Sequence, residues 1–256
     1  MKVRILGCSG GIGGRHLRTT ALLIDHDILI DCGTGVTELS IAELAQIDHV
    51  FLTHSHMDHI ACLPLLIDTV GDLRSRPLTV HCLPATAETL LKHVFNGAIW
   101  PDFTAIPDAA IPFLKFETHD MGASVALDGQ RRFVSLPVSH SVPAVGYQID
   151  SGKNSLVFSG DTGPCRPFWD AVNAIPNLQA LLVETAFSNR ERQLAESSLH
   201  LCPSMLLEEL RYLQTRPEIF ITHLKPGQIE LTMGEIESSV AEFAPRMLQN
   251  NQVFEL

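Results

Sequence analysis

The sequence predicts an α/β (α+β) chain in which two mixed β-sheets pack face to face, with helices on the outer faces. Short apolar stretches typical of buried strands recur in both halves of the chain, and stretches with helical spacing separate them. With 256 residues, 45% of them hydrophobic, the chain can form a large core. No linker, low-complexity tract or strong repeat divides it, so we expect a single domain over residues 1–256.

The composition favours a cytoplasmic protein. No apolar run reaches membrane-spanning length, and the first five residues begin a strand rather than a signal peptide. The net charge of −11 argues against a large nucleic-acid surface, which needs a basic patch. A phosphate substrate stays compatible with it, because bound cations invert the local field. The six cysteines form no C-x-x-C pair, so we expect reduced thiols, mostly in the core.

The first half of the chain alternates strands and helices. Apolar stretches predict strands at residues 3–6, 19–24, 27–30, 49–53 and 78–83. Helical spacing predicts helices at residues 36–45, 60–70 and 84–95. A glycine-rich loop at 7–14 lacks the Lys-Ser/Thr of a phosphate-binding loop, so a tight connection is the better interpretation. Arg15, His16 and Arg18 follow it, either as substrate contacts or as a solvated turn.

The second half contains more strands than helices. Strands are predicted at residues 113–116, 124–127, 132–138, 145–149, 155–158, 180–183 and 219–222. Helices are predicted at residues 166–174, 190–196, 203–213 and 233–244. Trp100 lies in the loop at 96–103, where it is either an apolar wall for a planar ligand or, as is commoner, a hydrophobe packed on the core.

The candidate chemistry is concentrated in Thr53-His54-Ser55-His56-Met57-Asp58-His59, between a predicted strand and a predicted helix. Neutral imidazoles and a carboxylate are ligands of zinc and similar divalent ions. His54 and His56 can point to one side, whereas Asp58 and His59 turn away with the start of the helix. This split favours two metal ions over one.

Later strands each end at one ionisable residue, which supplies the remaining candidate ligands. These residues are His140, Asp161, Glu184 and His223. A single such residue would usually be a satisfied surface group, but four in succession after a histidine cluster form a pattern. Asp31, at the end of an earlier strand, is placed to accept a hydrogen bond from the cluster.

These residues together resemble the metallo-β-lactamase superfamily of hydrolases over nearly the whole chain. The resemblance implies an αββα sandwich with two metal ions at one edge. It implies that the first ion is held by His54, His56 and His140. The second is held by Asp58, His59 and His223, and Asp161 bridges the two. Zinc is the expected metal, and manganese and iron accept the same donors.

A narrower similarity, to class II cyclic-nucleotide phosphodiesterases, runs through residues 184–189, 199–203 and 221–226. Residues 95–103 are also similar to a stretch of those enzymes. Three positions depart from that pattern. Cys62 replaces a small Gly or Ser, and Leu199 and Cys202 stand where Gly and Thr are expected.

The narrower similarity implies a dinuclear phosphodiesterase that hydrolyses a 3′,5′-cyclic nucleotide (cAMP or cGMP) to the 5′-monophosphate by a metal-bridging hydroxide. Asp58 would orient the nucleophile as well as bind metal. His200 would protonate the leaving oxygen, with Glu184 holding its ring. The alternative for this pair is two solvated residues without a catalytic role. The expected partner is a small phosphodiester, with no membrane, and the predicted helix at 60–70 is either a homodimer interface or, more simply, a core element.

Three other functions remain open. A ribonuclease Z-like RNA phosphodiesterase has the same spacing of Glu184 and His200, but the acidic charge and the lack of a basic arm between His140 and Asp161 count against it. A thioester or lactone hydrolase has no evident use for that pair. A non-catalytic metal or nucleotide sensor would be expected to lose ligands, whereas this set is complete.

Overall fold

The structure is a computed structural model that describes residues 1–14 and 16–256. Arg15, one of the candidate loop residues, lies outside the described part. Two large β-sheets form the centre of the structure. The strands are β1 (Lys2–Gly7), β2 (Ala21–Ile24), β3 (Ile28–Ile30), β4 (His49–Phe51), β5 (Leu78–Cys82), β6 (Pro107–Asp108), β7 (Ile111–Pro112), β8 (Leu114–Thr118), β9 (Ser124–Ala126), β10 (Arg132–Pro137), β11 (Val145–Asp150), β12 (Ser155–Phe158), β13 (Leu178–Glu184), β14 (Glu218–Thr222), β15 (Arg246–Met247) and β16 (Val253–Glu255).

The helices lie between these strands. The α-helices are α1 (Ile41–Leu44), α2 (Met57–Ile60), α3 (Leu63–Val70), α4 (Pro84–His93), α5 (Arg166–Asn173), α6 (Arg192–Ser198), α7 (Pro203–Leu210) and α8 (Ile229–Ser239). Short 3₁₀ turns occupy Thr34–Glu38, Gly71–Leu73, Asp128–Gln130, Asn189–Glu191 and Ala241–Phe243. In the described part of the chain, no helix combines the length and the apolar character needed to cross a membrane.

The two sheets have matching topology. Their strand orders are β16-β1-β2-β3-β4-β5-β8 and β15-β14-β13-β12-β11-β10-β9. Each sheet has antiparallel pairing at one end and parallel pairing at the other. Strands β10, β12, β13 and β14 run in the same direction, so the residues that follow them collect at one edge, as is common for ligand sites in parallel sheets.

Apolar residues form three clusters that define four layers. One cluster fills the space between the sheets and includes Phe51, Phe133 and Phe158. A second lies between the first sheet and helices α3 and α4, and a third lies between the second sheet and helices α5, α7 and α8. The predicted α/β class, with two sheets inside and helices outside, is therefore confirmed.

The outer face of the first sheet accounts for several apolar residues noted in the sequence. Helix α3 buries Leu63, Leu66, Ile67 and Val70 in the cluster there, so it is a core element. Cys62 belongs to the same cluster, and the ring of Trp100 packs against it.

Some element boundaries differ from the prediction. The helix expected at 36–45 is a 3₁₀ turn followed by α1. It is interrupted at Ser40, whose hydroxyl accepts a hydrogen bond from the Glu43 amide and caps α1. The helix expected at 60–70 is divided into α2 and α3. Strands β15 and β16 were not predicted, because they are short and β16 pairs with β1 at the opposite end of the chain.

An ion pair joins the two sheets at the edge opposite the one where the residues after β10, β12, β13 and β14 collect. Arg131, just before β10, donates to the two carboxylate oxygens of Asp27, just before β3, at 2.5 and 2.9 Å. Burial raises the pKa of Asp27, but the hydrogen bond and charge of Arg131 outweigh it, so the pKa is lowered. The pair therefore stabilises the fold while Asp27 is ionised.

Replacing Asp27 with Asn should lower the free energy of unfolding by about 1 kcal/mol at neutral pH, because a partly buried charge-assisted pair is lost. Since the folded-state pKa lies below the unfolded-state value, this stabilisation is present above the unfolded-state pKa. It is lost as the pH falls through the folded-state pKa. Urea unfolding at neutral pH and near pH 3 should show a difference between the two proteins that shrinks in acid. Asp170→Asn, which removes an exposed pair with Arg166, is the control and should change stability by only a few tenths of a kcal/mol.

Candidate metal centre

The turn between β4 and α2 carries four of the candidate ligands. His54 is buried in the short segment that follows β4. His56 has an extended backbone at the N-terminus of α2, and Asp58 and His59 lie within that helix. The change from extended to helical backbone directs the first two side chains and the last two into different groups, as their spacing predicted.

Seven predicted residues converge into two groups that share one carboxylate. The first group is His54, His56, His140 and Asp161, and the second is Asp58, His59, Asp161 and His223. Within each group, the candidate ligand atoms all lie within 4.8 Å of one another. Asp161 belongs to both groups because it follows β12, the central strand of the second sheet, which has β13 as its neighbour and β14 as the next strand beyond β13.

Several buried polar atoms in these groups have no hydrogen-bond partner in the described residues. They are Nε2 of His54, Nε2 of His59, Oδ1 of Asp161 and both ring nitrogens of His223. A buried polar atom without a partner costs about 1–3 kcal/mol, so several such atoms at one place indicate a missing common partner. Imidazole nitrogens and carboxylate oxygens suit a divalent metal ion, and the residues present therefore fit such an ion.

Most of the candidate ligands have pKa values that favour the protonation state in which they bind a metal ion. Burial lowers the pKa of His54 well below its usual value and that of His223 to about 3, so both rings are neutral. Burial raises the pKa of Asp161, but the surrounding histidines, first His223 and then His59, hold it well below its usual value. Neutral imidazoles and ionised carboxylates are the forms that bind metal.

His59 is the exception among these groups. Burial lowers its pKa, but the carboxylates of Asp161 and Asp31 more than offset this and raise it well above its usual value. Binding of a cation by this ring would therefore release a proton.

A second layer of hydrogen bonds orients the candidate ligands. The carboxylate of Asp31 lies 2.7 Å from Nδ1 of His59, the contact that its position in the sequence suggested. The amide and hydroxyl of Thr53 both donate to Asp31, and the same hydroxyl lies 2.9 Å from Nδ1 of His54. These contacts fix the rings so that Nε2 of each faces the shared centre.

Glu184 and His200 form a buried pair beside both groups. Nδ1 of His200 lies 2.7 Å from Oε1 of Glu184, and the amides of Thr162 and Leu201 also donate to this carboxylate. The His200 ring stacks on His223 and meets His140 edge-on, with ring centroids 5.2 and 5.0 Å apart. Burial lowers the pKa of His200, but the charge of Glu184 outweighs it, so the pKa is raised. The solvated alternative for this pair does not hold.

Leu199 contributes through its backbone, which the sequence did not reveal. Its carbonyl lies 3.1 Å from Nδ1 of His140, which leaves Nε2 of that ring facing the first group. Leu199 has φ 55°, in the left-handed region that favours glycine. The glycine expected there from the phosphodiesterase pattern would have signalled this conformation, but leucine conceals it.

The glycine-rich loop lies against His223 and does not form a phosphate cradle leading into a helix. The amide of Gly10 donates to the carbonyl of Leu224, and Nζ of Lys225 donates to the carbonyl of Gly10 at 2.7 Å. Arg18 forms an ion pair with Glu38, and His16 is exposed. The described residues after the loop therefore match the turn interpretation better than substrate contact.

Sequence comparison relates the chain to one family model, to a phosphodiesterase and to a ribonuclease. Residues 26–224 match the family model of the Beta-lactamase superfamily domain. A 3′,5′-cyclic-nucleotide phosphodiesterase of Aliivibrio fischeri is 27% identical over 255 residues, covering 82% of this chain and 74% of that protein. A ribonuclease Z of Mycobacterium sp. (strain KMS) is 31% identical over 194 residues, covering 67% of this chain and 65% of that protein. The matched region is thus slightly less than two thirds of that ribonuclease.

Solved structures with the same fold cover the entire chain. Unliganded yeast PDE1 superposes with a TM-score of 0.81 at 20% identity, over 100% of this chain and 99% of that one. The metallo-beta-lactamase fold protein YhfI from Bacillus subtilis has a TM-score of 0.77 at 19% identity, with the same coverage. At these identities the likeness concerns the fold alone, and it agrees with the αββα architecture expected from the sequence.

Replacing Gly10 with Ala should destabilise the protein, because the added Cβ would lie 2.4 Å from the carbonyl oxygen of His223 and 2.9 Å from its ring. We expect a loss of about 1–3 kcal/mol in the free energy of unfolding, as for other overpacked sites. Gly234→Ala is the matched control, since a Cβ there, within α8, meets no described atom within 4 Å. It should stabilise the protein by up to about 1 kcal/mol through helix propensity. Urea unfolding that ranks the two variants equally would contradict this packing argument.

Proposed function

Because the chain belongs to the β-lactamase superfamily, we propose that it is a metal-dependent phosphodiesterase that hydrolyses 3′,5′-cyclic nucleotides to 5′-monophosphates. The observation that carries this proposal is the buried Glu184–His200 pair beside two groups of candidate ligands. A proton donor next to an electrophilic centre suits a reaction whose leaving group is a poorly acidic sugar hydroxyl. The similarity to a cyclic-nucleotide phosphodiesterase over 82% of the chain supports the same substrate.

In this proposal, each of the two ligand groups would hold one divalent ion, and Asp161 belongs to both groups. Zinc suits the mixed histidine and carboxylate set. Such ions supply Lewis acidity, which activates water near neutral pH and offsets negative charge on a phosphoryl group. Asp58 retains 27% exposure of its side chain, against 2% for Asp161, so we assign it the orientation of the attacking water.

His200 completes the reaction as the proton donor. Glu184 accepts the hydrogen bond from Nδ1 and favours the charged ring, which leaves Nε2 to act on the substrate. The water oxygen bonds to phosphorus and gives up one proton to solvent, the bond from phosphorus to the 3′ oxygen breaks, and the proton from Nε2 of His200 completes the 3′ hydroxyl. Donation within a buried site typically contributes a factor of about 10²–10⁴ to the rate.

A ribonuclease Z-like activity is the second candidate, and the 31% identity to a ribonuclease Z favours it. The net charge of −11 is unfavourable for a long RNA, whose binding rests on neutralising many phosphates. Between β11 and β12, the turn at residues 151–154 carries one lysine and offers no basic arm. Cleavage of a precursor tRNA at a rate comparable to cyclic-nucleotide hydrolysis would reverse this order of preference.

The first test is to incubate metal-loaded protein with 3′,5′-cyclic AMP and identify the product. We expect 5′-AMP, and we expect Asp161→Ala to abolish its release because both ligand groups lose their shared carboxylate. Asp170→Ala, on the exposed face of α5, is the control and should retain the rate. Release of 3′-AMP would contradict the assigned leaving oxygen. If the protein does not hydrolyse 3′,5′-cyclic AMP but does hydrolyse an activated phosphodiester, the proposed cyclic-nucleotide substrate is wrong and the proposed phosphodiesterase activity is supported.

The role of His200 can be tested with leaving groups of different acidity. His200→Ala should slow hydrolysis of 3′,5′-cyclic AMP by about 10²-fold or more, because the sugar oxygen needs a proton. A 4-nitrophenyl diester should lose far less, since its leaving group departs as a stable anion. His93→Ala, an exposed histidine at the end of α4, is the control. Equal losses on both substrates would exclude proton donation by His200.

A further inference from the structure

Lys225 is the one basic side chain in the described residues that is partly buried and has no carboxylate partner. It lies beyond the end of β14, two residues after the candidate ligand His223. Every other described lysine or arginine either forms an ion pair with a carboxylate or is exposed. A partly buried charge is costly unless an opposite charge compensates it. In a chain of net charge −11, the lack of a carboxylate beside Lys225 leaves its charge available for a bound anion.

The position of Lys225 is fixed by hydrogen bonds on two sides. Its amide donates to the carbonyl of Ala186 at 3.0 Å, two residues after Glu184. Its Nζ donates to the carbonyl of Gly10, in the glycine-rich loop, at 2.7 Å. An ammonium group has three donors, and Gly10 is the residue in the described part of the chain that accepts from Nζ. Two donors therefore remain for a ligand.

The ammonium group lies beside the rings of His223 and His200. Gly10, whose carbonyl holds Nζ, lies so close to His223 that a Cβ on it would be 2.9 Å from Cδ2 of that ring. The ring of His223 in turn stacks on that of His200, with centroids 5.2 Å apart. Burial lowers the pKa of His223 to about 3, and the charge of Lys225 acts in the same direction. Burial and Lys225 also lower the pKa of His200, although Glu184 outweighs them. A charge that acts on both rings must lie near both.

We propose that Lys225 binds a non-bridging oxygen of the phosphoryl group of the substrate. The inference rests on the proposed phosphodiesterase function and deepens it. His200, the assigned proton donor, has to reach the leaving oxygen, which is bonded directly to phosphorus. An ammonium group beside the same ring is therefore close to the other oxygens of that phosphorus.

The charge of Lys225 also selects the class of substrate. A phosphodiester carries one negative charge, shared by its two non-bridging oxygens, and lysine binds phosphate as a point charge. The acyl group of a thioester or lactone is uncharged and would leave the ammonium group without an anion. Lys225 therefore favours a phosphodiester over those substrates.

Inorganic phosphate is a suitable probe, because it presents the same kind of oxygen and its binding requires no catalysis. In calorimetric titrations of the metal-loaded protein, Lys225→Met should raise the Kd of phosphate at least about tenfold, equivalent to about 1.4 kcal/mol. Lys225→Arg should stay within about threefold of the unmodified protein, since arginine also binds phosphate. Lys153→Met is the matched control, because it removes an exposed lysine from the turn between β11 and β12, and it should leave the Kd unchanged.

A second variant separates the charge of Lys225 from its contact with the glycine-rich loop. Lys225→Gln keeps a donor for the carbonyl of Gly10 but removes the charge, so it should weaken phosphate binding as Lys225→Met does. It also supplies the measurement if Lys225→Met does not fold. Metal content should equal that of the unmodified protein in each variant compared. With bis(4-nitrophenyl) phosphate, both uncharged variants should raise KM more than they lower kcat, because the contact exists in the bound substrate as well as in the transition state.

The outcomes distinguish the role of Lys225 from the proposed function. Equal affinity for phosphate in the unmodified protein and in both uncharged variants overturns the assignment. An equal loss in Lys225→Arg also overturns it, because it would indicate a role in packing alone. Affinity that depends on the charge supports the assignment even if 3′,5′-cyclic AMP is not hydrolysed, in which case the cyclic-nucleotide function alone fails. Hydrolysis of 3′,5′-cyclic AMP with kcat/KM unchanged in Lys225→Met overturns the role of Lys225 and leaves the proposed function intact.

Discussion

The buried carboxylate of Asp161 is the constraint on which the site depends. It is 2% exposed and lies between two groups of histidines. A buried charge is costly unless other groups compensate it, and imidazole nitrogens surround it at 3.1 Å (His223) and 3.3 Å (His59). Those nitrogens lack hydrogen bonds of their own, so the carboxylate and the rings share a need for a cation. The position of Asp161 after a central strand makes both ligand groups possible.

Precise placement of these side chains comes with local backbone strain. Asp31, Leu199 and His223 have φ angles of 56°, 55° and 62°, a region that costs non-glycine residues about 1 kcal/mol or more each. Each has a distinct role at the site: a hydrogen bond to His59, a carbonyl for His140, and a candidate ligand. Glycine is required for a different reason, where two backbone segments approach too closely to admit a Cβ, as Gly10 and His223 do. At these three positions the strained backbone coincides with the placement of a ring at the site.

The surroundings of the site carry more information about substrate than the fold does. Differently named proteins of this fold superpose on the whole chain, including yeast PDE1 and the short form of human tRNase Z, which has a TM-score of 0.69. A shared fold does not determine a substrate. The net charge of −11 and the short turn between β11 and β12 both favour a small substrate. The turn differs from the ligand groups in belonging to a loop, and loops vary more readily than the strands they connect.

The sequence by itself determined the fold class and the seven candidate ligands. Each of these ligands follows a strongly apolar strand or lies in one compact motif, and parallel strands bring their ends to one edge, so local patterns were sufficient. The same patterns indicated Glu184 and Asp31, and the similarity to class II cyclic-nucleotide phosphodiesterases indicated His200. They were wrong at residues 36–45, where the Ser40 cap divides the predicted helix, and they did not reveal β16, whose partner is at the other end of the chain. Only the tertiary structure decided which atoms face the centre and the role of the Leu199 carbonyl. The Leu199 carbonyl and the His140 ring that it contacts are 59 residues apart in the chain, and the distances between such segments are set by sheet packing, which no local pattern encodes.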